Sequence, residues 1–169
     1  MDYLWTPWRY QYVSNATRAD TCVLCDARGG SIPQSAIAAS DESNLVLHRG
    51  RRNFIILNRF PYTTGHVMIC PYEHVADLAA LDADTLAEMM VLARRLQIAL
   101  GELYQPEGYN LGMNIGRCAG AGVASHVHLH VLPRWTGDTS FVTTVGETRV
   151  EPEDLATTYR KLKPFFEKL

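Results

Sequence analysis

The sequence predicts an α+β fold, with helices on one face of an antiparallel sheet. Three observations carry this. Several short β-like runs are bounded by turn residues. A single long stretch repeats its apolar residues at helical spacing. The order of these segments is strand, strand, strand, helix, strand, strand, helix, with links short enough for hairpins.

Taken in order, residues 1–21 read as an irregular arm rich in aromatics and Arg, ahead of one domain over 22–169. Residues 26–40 are small, with Gly29, Gly30 and Pro33, and read as loop. Residues 44–48, 53–58 and 66–71 read as strands. Pro61 to Gly65 supplies the turn of an antiparallel hairpin between the last two. Residues 82–104 read as the main helix. Asp82 and Asp84 favour its start, and Leu86, Met89, Met90, Ala93, Leu96, Leu100 and Leu103 form one apolar face. Both Met are expected in the core. Strands follow at 109–115 and 125–133, then a closing helix at 152–167 with Pro152 in its first turn.

Composition narrows the class. A chain of 169 residues suits one domain and can bury a core without disulfides. Its 47% hydrophobic and 20% charged residues exclude wholesale disorder. A net charge of −2 argues against a protein that coats nucleic acid. No run approaches the ~20 apolar residues of a membrane helix. The start, Met1-Asp2-Tyr3-Leu4-Trp5, has an early acid and no signal-peptide pattern. The expected compartment is the cytoplasm, where Cys22, Cys25, Cys70 and Cys118 stay reduced.

The chemistry concentrates in His126-Val127-His128-Leu129-His130-Val131-Leu132. Side chains alternate along a strand, so the three histidines share one face and the aliphatic residues the other. Three of the six histidines on one face suggest a cleft rather than a solvated surface. Two chemistries fit: a metal site of imidazoles, or attack by a neutral imidazole on phosphorus. The preceding loop, with Asn114, Gly116, Gly120 and Gly122, offers backbone N–H groups that suit phosphate oxygens. It points to phosphate chemistry.

This strand resembles the His-φ-His-φ-His-φ-φ signature of the histidine triad superfamily, nucleotide hydrolases and transferases. Leu57-Asn58-Arg59 with Gly65-His66-Val67-Met68-Ile69-Cys70-Pro71 resembles that family's hairpin. The resemblance implies a five-stranded antiparallel sheet with two helices, and a homodimer in which two sheets join. It implies that His128 attacks the α-phosphate to give a nucleotidyl-histidine, and that His130 contacts the phosphate. It further implies Asn58 at the ribose hydroxyls, Ile56 against the base, and Asn114, Gly120 and Gly122 around the phosphates. Read without the resemblance, Asn58 is a turn residue.

Cys22-Val23-Leu24-Cys25 is half of a zinc site by spacing, or a redox pair. Zinc-bearing members of the superfamily complete such a CxxC with the His of Pro-x-x-His and the first triad His. Here those are His74 and His126, with His48 the alternative to His74. A Cys₂His₂ set is a closed, structural zinc site. Cys70 is expected buried and Cys118 in a loop.

Pro133-Arg134-Trp135 with Gly137-Asp138 and Phe141, together with Trp5-x-Pro7-Trp8-Arg9, resembles bacterial members similar to diadenosine tetraphosphate phosphorylase. Fragile histidine triad proteins, the neighbouring branch, lack the CxxC. Trp135 is expected to stack a second adenine; Trp5 and Trp8 either stack or pack the arm. One departure stands out. Phosphorylases carry Gly-Ser where this chain has Ala121-Gly122, and a hydroxyl that would hold incoming phosphate is missing.

The expected function is cleavage of an adenine nucleotide, above all a dinucleoside polyphosphate, at the α-phosphate by hydrolysis or phosphorolysis. Alternatives are a nucleoside phosphoramidase, a metal-dependent hydrolase ligated by all three triad histidines, and a non-catalytic nucleotide-binding regulator. A role at nucleic-acid ends conflicts with the acidic balance.

Overall fold

The computed structural model describes residues 22–29, 37–139, 143, 145 and 152–167. The arm 1–21, with Trp5 and Trp8, and also Gly30, Pro33 and Phe141 lie outside the described residues. Five strands are β1 (Val46–Arg49), β2 (Asn53–Leu57), β3 (Val67–Pro71), β4 (Gly108–Gly112) and β5 (Leu129–Arg134). They form one antiparallel sheet in the order β1-β2-β3-β5-β4. The α+β expectation and the β2–β3 hairpin both hold.

The main helix, α3 (Ala83–Tyr104), starts where Asp82 accepts the N–H of Thr85 at 2.7 Å. It ends at Gln105, which is left-handed at φ 48° and donates to the carbonyl of Gly101. Its buried side includes Met89, Leu92, Ala93, Leu96, Ala99 and Leu100. These pack on Leu47, Ile55, Leu57, Val67, Ile69, Leu129 and Val131 of the sheet. Each fully buried Leu or Ile is worth roughly 1.5–3 kcal/mol of transfer free energy. Met90 departs from expectation: it is 58% exposed, because it lies about 100° around the helix from Met89.

Glu88 ties α3 to the turn between β1 and β2. Its carboxylate accepts the N–H groups of Arg51, Arg52 and Asn53 at 2.7–2.8 Å, and the Asn53 amide at 2.8 Å. Gly65 closes the β2–β3 hairpin at φ +75°, and a Cβ there would meet Leu100 at 3.1 Å.

Several local expectations are corrected. Residues 26–40 are not all loop. The helix α1 (Val23–Ala27) covers the sheet face opposite α3, and α2 (Ile37–Asn44) precedes β1. Helices therefore lie on both faces, and there are more than two. Asn44 ends α2, and Leu45 turns the chain at φ 63°, so the first strand begins at Val46. The closing helix is split into α4 (Leu155–Leu162) and α5 (Pro164–Glu167). Asp154 caps α4, leaving Pro152 before the helix. Pro164 lacks the N–H that would continue one helix. Among the described residues, no helix is long and apolar enough to cross a membrane.

Candidate active site and metal centre

β5 and the residues leading into it carry the histidines. Val127, Leu129 and Val131 enter the core under α3, while His126, His128 and His130 face the other way and are at most 8% exposed. The strand expected over 125–133 begins only at Leu129; His126 sits in a bend, its N–H donating to the Val123 carbonyl, and His128 lies between that bend and the strand. His130 lies opposite Met68 of β3 and Gly112 of β4, at the centre of three strands.

Hydrogen bonds assign each ring a tautomer. His128 Nδ1 lies 2.8 Å from the carbonyl of His126, so Nδ1 carries the proton and Nε2 presents a lone pair. His66, 1% exposed, supports His130. The Tyr62 N–H donates to His66 Nδ1 at 3.0 Å, which places the proton on His66 Nε2. That atom donates to His130 Nδ1 at 2.9 Å. His130 is left with Nε2–H, a donor. The two triad rings meet edge-on, with centroids 4.8 Å apart. One imidazole thus offers a lone pair and its neighbour an N–H, as attack on a phosphate and stabilisation of its oxygens require.

Burial holds both rings neutral. It lowers the pKa of His128, and with the His128 charge it pushes His130 down to about 4. A neutral imidazole is the nucleophilic form.

The preceding loop corrects one expectation. The N–H groups of Ala119 and Ala121 donate to the carbonyl of Gly116, and that of Gly120 to Arg117. They are consumed by the turn, with Gly116 and Gly120 at φ +82° and +89°. The N–H groups of residues 122–125 take no backbone carbonyl among the described residues, so Gly122, not Gly120, offers a backbone donor. Asn114 lines a cleft beside His130 with Tyr62 and Met113. Ile56 lies among Val46, Phe54 and Met68 on the histidine face. Asn58 behaves as a turn residue: its Oδ1 accepts the Phe60 N–H at 3.0 Å, and its amide nitrogen is 3.3 Å from His66 Nδ1.

The second centre gathers Cys22, Cys25, His74 and His126, whose ligand atoms all lie within 4.8 Å of one another. Cys22 caps α1 and Cys25 follows one turn later. Cys22 Sγ and Cys25 Sγ are 3.4 and 3.6 Å from His126 Nδ1, and Cys25 Sγ is 3.2 Å from His74 Nδ1. Tetrahedral zinc with ordinary bond lengths spaces its ligands by about 3.5 Å, so the set fits. His126 Nε2 donates to the Pro71 carbonyl at 2.9 Å, which turns the bare Nδ1 toward the thiols. Burial, with Cys22 alongside, raises the Cys25 thiol, a cost that a divalent cation would remove. His74, rather than His48, completes the set; the His48 ring packs against Phe166 instead. Cys70 is buried and Cys118 exposed, as expected.

Comparison with known proteins shows the family. The HIT domain family model matches residues 39–137. The chain belongs to the HIT domain family. It is 36% identical over 163 residues to an AP-4-A phosphorylase of Mycobacterium tuberculosis, covering 94% of this chain and 81% of that protein. It is 32% identical over 114 residues to an adenosine 5'-monophosphoramidase of Schizosaccharomyces pombe, covering 68% of this chain and 74% of that one. Among solved structures, a zinc-bound histidine triad family protein from Mycobacterium smegmatis superposes with a TM-score of 0.66 at 28% identity, covering 88% of this chain and 94% of that one.

Two site features of this HIT chain escape motif reading. His66 was legible only as a strand residue, because its contact with His130 spans 64 positions. Trp135 is not among the residues lining the cleft. It lies in the turn after β5, where its N–H donates to Asp138, five residues or roughly 16 Å of extended chain beyond His130.

Proposed function

We propose that the chain cleaves an adenine dinucleoside polyphosphate at the α-phosphate through a nucleotidyl-histidine. As a HIT family member it is a nucleotide-processing enzyme; the substrate and the residue roles are our reading. The observation that carries it is the complementary pair formed by the lone pair of His128 Nε2 and the Nε2–H of His130.

His128 Nε2 attacks the α-phosphorus. The bond from phosphorus to the bridging oxygen breaks, and the leaving nucleoside polyphosphate takes the electron pair. The imidazolium charge is shared with the His126 carbonyl through Nδ1–H. His130 Nε2–H and the backbone N–H of Gly122 hold phosphate oxygens, with Asn114 alongside. Water or inorganic phosphate then attacks phosphorus and releases His128. Ile56 and Asn58 would take the base and ribose. Zinc, held by Cys22, Cys25, His74 and His126, would supply cross-linking only, since all four positions are protein ligands.

A homodimer joined along the β4 edge completes the reading. Among the described residues β4 pairs on one side only, and its Leu111 is 42% exposed. On α3, Val91 and Ile98 are 50% and 47% exposed, and Tyr109 Oη bonds the neighbouring Gln97 carbonyl, bringing that helix beside β4. Pairing two such edges would extend the sheet across both subunits and offers Trp135 a route toward the partner's site. The compartment proposed is the cytoplasm.

Product analysis tests the reaction. Diadenosine tetraphosphate is incubated with and without inorganic phosphate. ADP plus ATP only with phosphate identifies phosphorolysis, and AMP plus ATP in both identifies hydrolysis. The missing hydroxyl at Ala121-Gly122 favours hydrolysis. The 32% identity to a monophosphoramidase supports one alternative, cleavage of a P–N bond by the same residues. No cleavage of diadenosine tetraphosphate, with turnover of adenosine 5'-phosphoramidate, would replace the first reading by that one.

A further inference from the structure

We infer that the cleft between Tyr62 and β4 is a subsite for the nucleoside of the leaving group, with the Tyr62 ring as its stacking wall. The inference rests on the nucleotidyl-transfer reading above and concerns the half of the substrate that reading leaves unplaced.

The sheet order supplies the direction. Ile56 is on β2, and His130 is two strands away on β5. Strands are ~4.8 Å apart, so a nucleoside over β2 places its α-phosphate over β5, about 10 Å away. The cleft lies on the far side of His130, over β5 and β4. A substrate running from β2 across His128 and His130 must continue into it. The group that departs with the broken P–O bond therefore leaves toward β4.

The lining suits a base. The cleft holds about 210 Å³, below the roughly 300–1,000 Å³ of a pocket that encloses a whole drug-sized ligand, so it takes a fragment. Met113 and Leu132 supply apolar surface, and Asn110, whose Oδ1 accepts from Arg134 at 2.6 Å, keeps its amide N–H groups for a base edge, with Asn114 at the phosphate end of the cleft. The Tyr62 ring is 6.0 Å from His130 and 4.8 Å from His66 between centroids, at 31° and 37°. It thus extends the two imidazoles as an aromatic wall from the phosphate position into the cleft. Stacking on such a ring is tolerant of base identity. Trp135, the residue expected to do this, is not among the residues lining the cleft of its own chain.

The test separates this subsite from the chemistry. Wild type, Tyr62→Ala and Tyr62→Phe are compared on diadenosine tetraphosphate and on adenosine 5'-tetraphosphate. The two have the same phosphate chain, and only the first has a second nucleoside. Tyr62→Ala should lower kcat/KM for diadenosine tetraphosphate about tenfold more than for adenosine 5'-tetraphosphate. Tyr62→Phe, which keeps the ring, should retain the preference for diadenosine tetraphosphate over adenosine 5'-tetraphosphate that Tyr62→Ala loses. Equal losses on the two substrates would overturn the subsite, because Tyr62 would then act only through His66 and His130. Loss in Tyr62→Phe equal to that in Tyr62→Ala would overturn the stacking role. A wild type inert on both substrates would instead refute the nucleotidyl-transfer reading, and this inference with it.

Discussion

His66 Nε2 stands 2.9 Å from His130 Nδ1, and the bond sets which nitrogen of His130 bears a proton. The order of donors begins at a backbone N–H, that of Tyr62, which has no alternative tautomer. A buried ring therefore carries a directional preference from a turn to the phosphate position. His66→Ala should lower kcat by roughly 10–100-fold, in line with losses of orienting partners at other sites. KM should change less than about threefold, because the bond acts on charge stabilisation rather than on nucleotide contact. A rise in KM at constant kcat, measured by steady-state kinetics, would show that His66 belongs to binding instead.

His128→Asn should reduce turnover by on the order of 10⁴-fold or more, since it removes the atom that forms the covalent bond. AMP binding, followed by calorimetry, should persist. Rapid quench of wild type with labelled substrate should trap a nucleotidyl group on protein, and the variant should trap none. Turnover in the variant at wild-type rate would remove His128 as nucleophile.

The Cys₂His₂ cluster leads to a third expectation. Protein purified without chelator should hold about one zinc per chain by elemental analysis. Cys22→Ser should lose it and lower Tm, because the ion ties α1 to the segments that follow β3 and precede β5. Activity per folded molecule at low temperature should fall less than stability does. Zinc-free wild type with unchanged Tm would refute the structural assignment.

Burial of His130 also makes stability depend on pH. Its pKa is about 4 folded against 6.5 for the free side chain. The unfolded chain therefore binds more protons between these values, and folding is opposed there. The contribution is complete above about pH 6.5 and is lost as pH falls toward 4. Urea unfolding at pH 7.5, 6.0 and 4.5 should show this decline, and His130→Asn should flatten it relative to wild type. Identical pH slopes in the two proteins would contradict the assignment.

Ile98→Glu places a charge in the exposed apolar patch beside β4. If two β4 edges join, this variant should sediment as a monomer where wild type sediments as a dimer, with little change in monomer Tm. Equal sedimentation of both would move the interface elsewhere.

The sequence by itself determined the class of fold and the two constellations of chemistry. Alternation along 126–131 is a local rule, so the shared face of His126, His128 and His130 is written in spacing alone. The periodicity of 82–104 is equally local, and it placed Met89, Ala93, Leu96 and Leu100 inside. It failed at Met90 because a pattern of threes and fours leaves the edge of a stripe undefined; the width of the sheet beneath decides it. Cys22 and Cys25 announced half a metal site, and only the fold brought His74 and His126 to them. Helix α2 was missed because its sequence, Ile-Ala-Ala-Ser-Asp-Glu-Ser-Asn, has little apolar periodicity. Tertiary structure alone decided the tautomers, the link from Tyr62 through His66 to His130, the use of loop N–H groups within the turn, and the separation of Trp135 from the cleft. The His66–His130 bond joins positions 64 apart, and the shorter links, from Tyr62 to His66, from His128 to the His126 carbonyl and within 116–121, depend on backbone conformation; hydrogen bonds read that geometry at about 3 Å, and residue spacing does not show it.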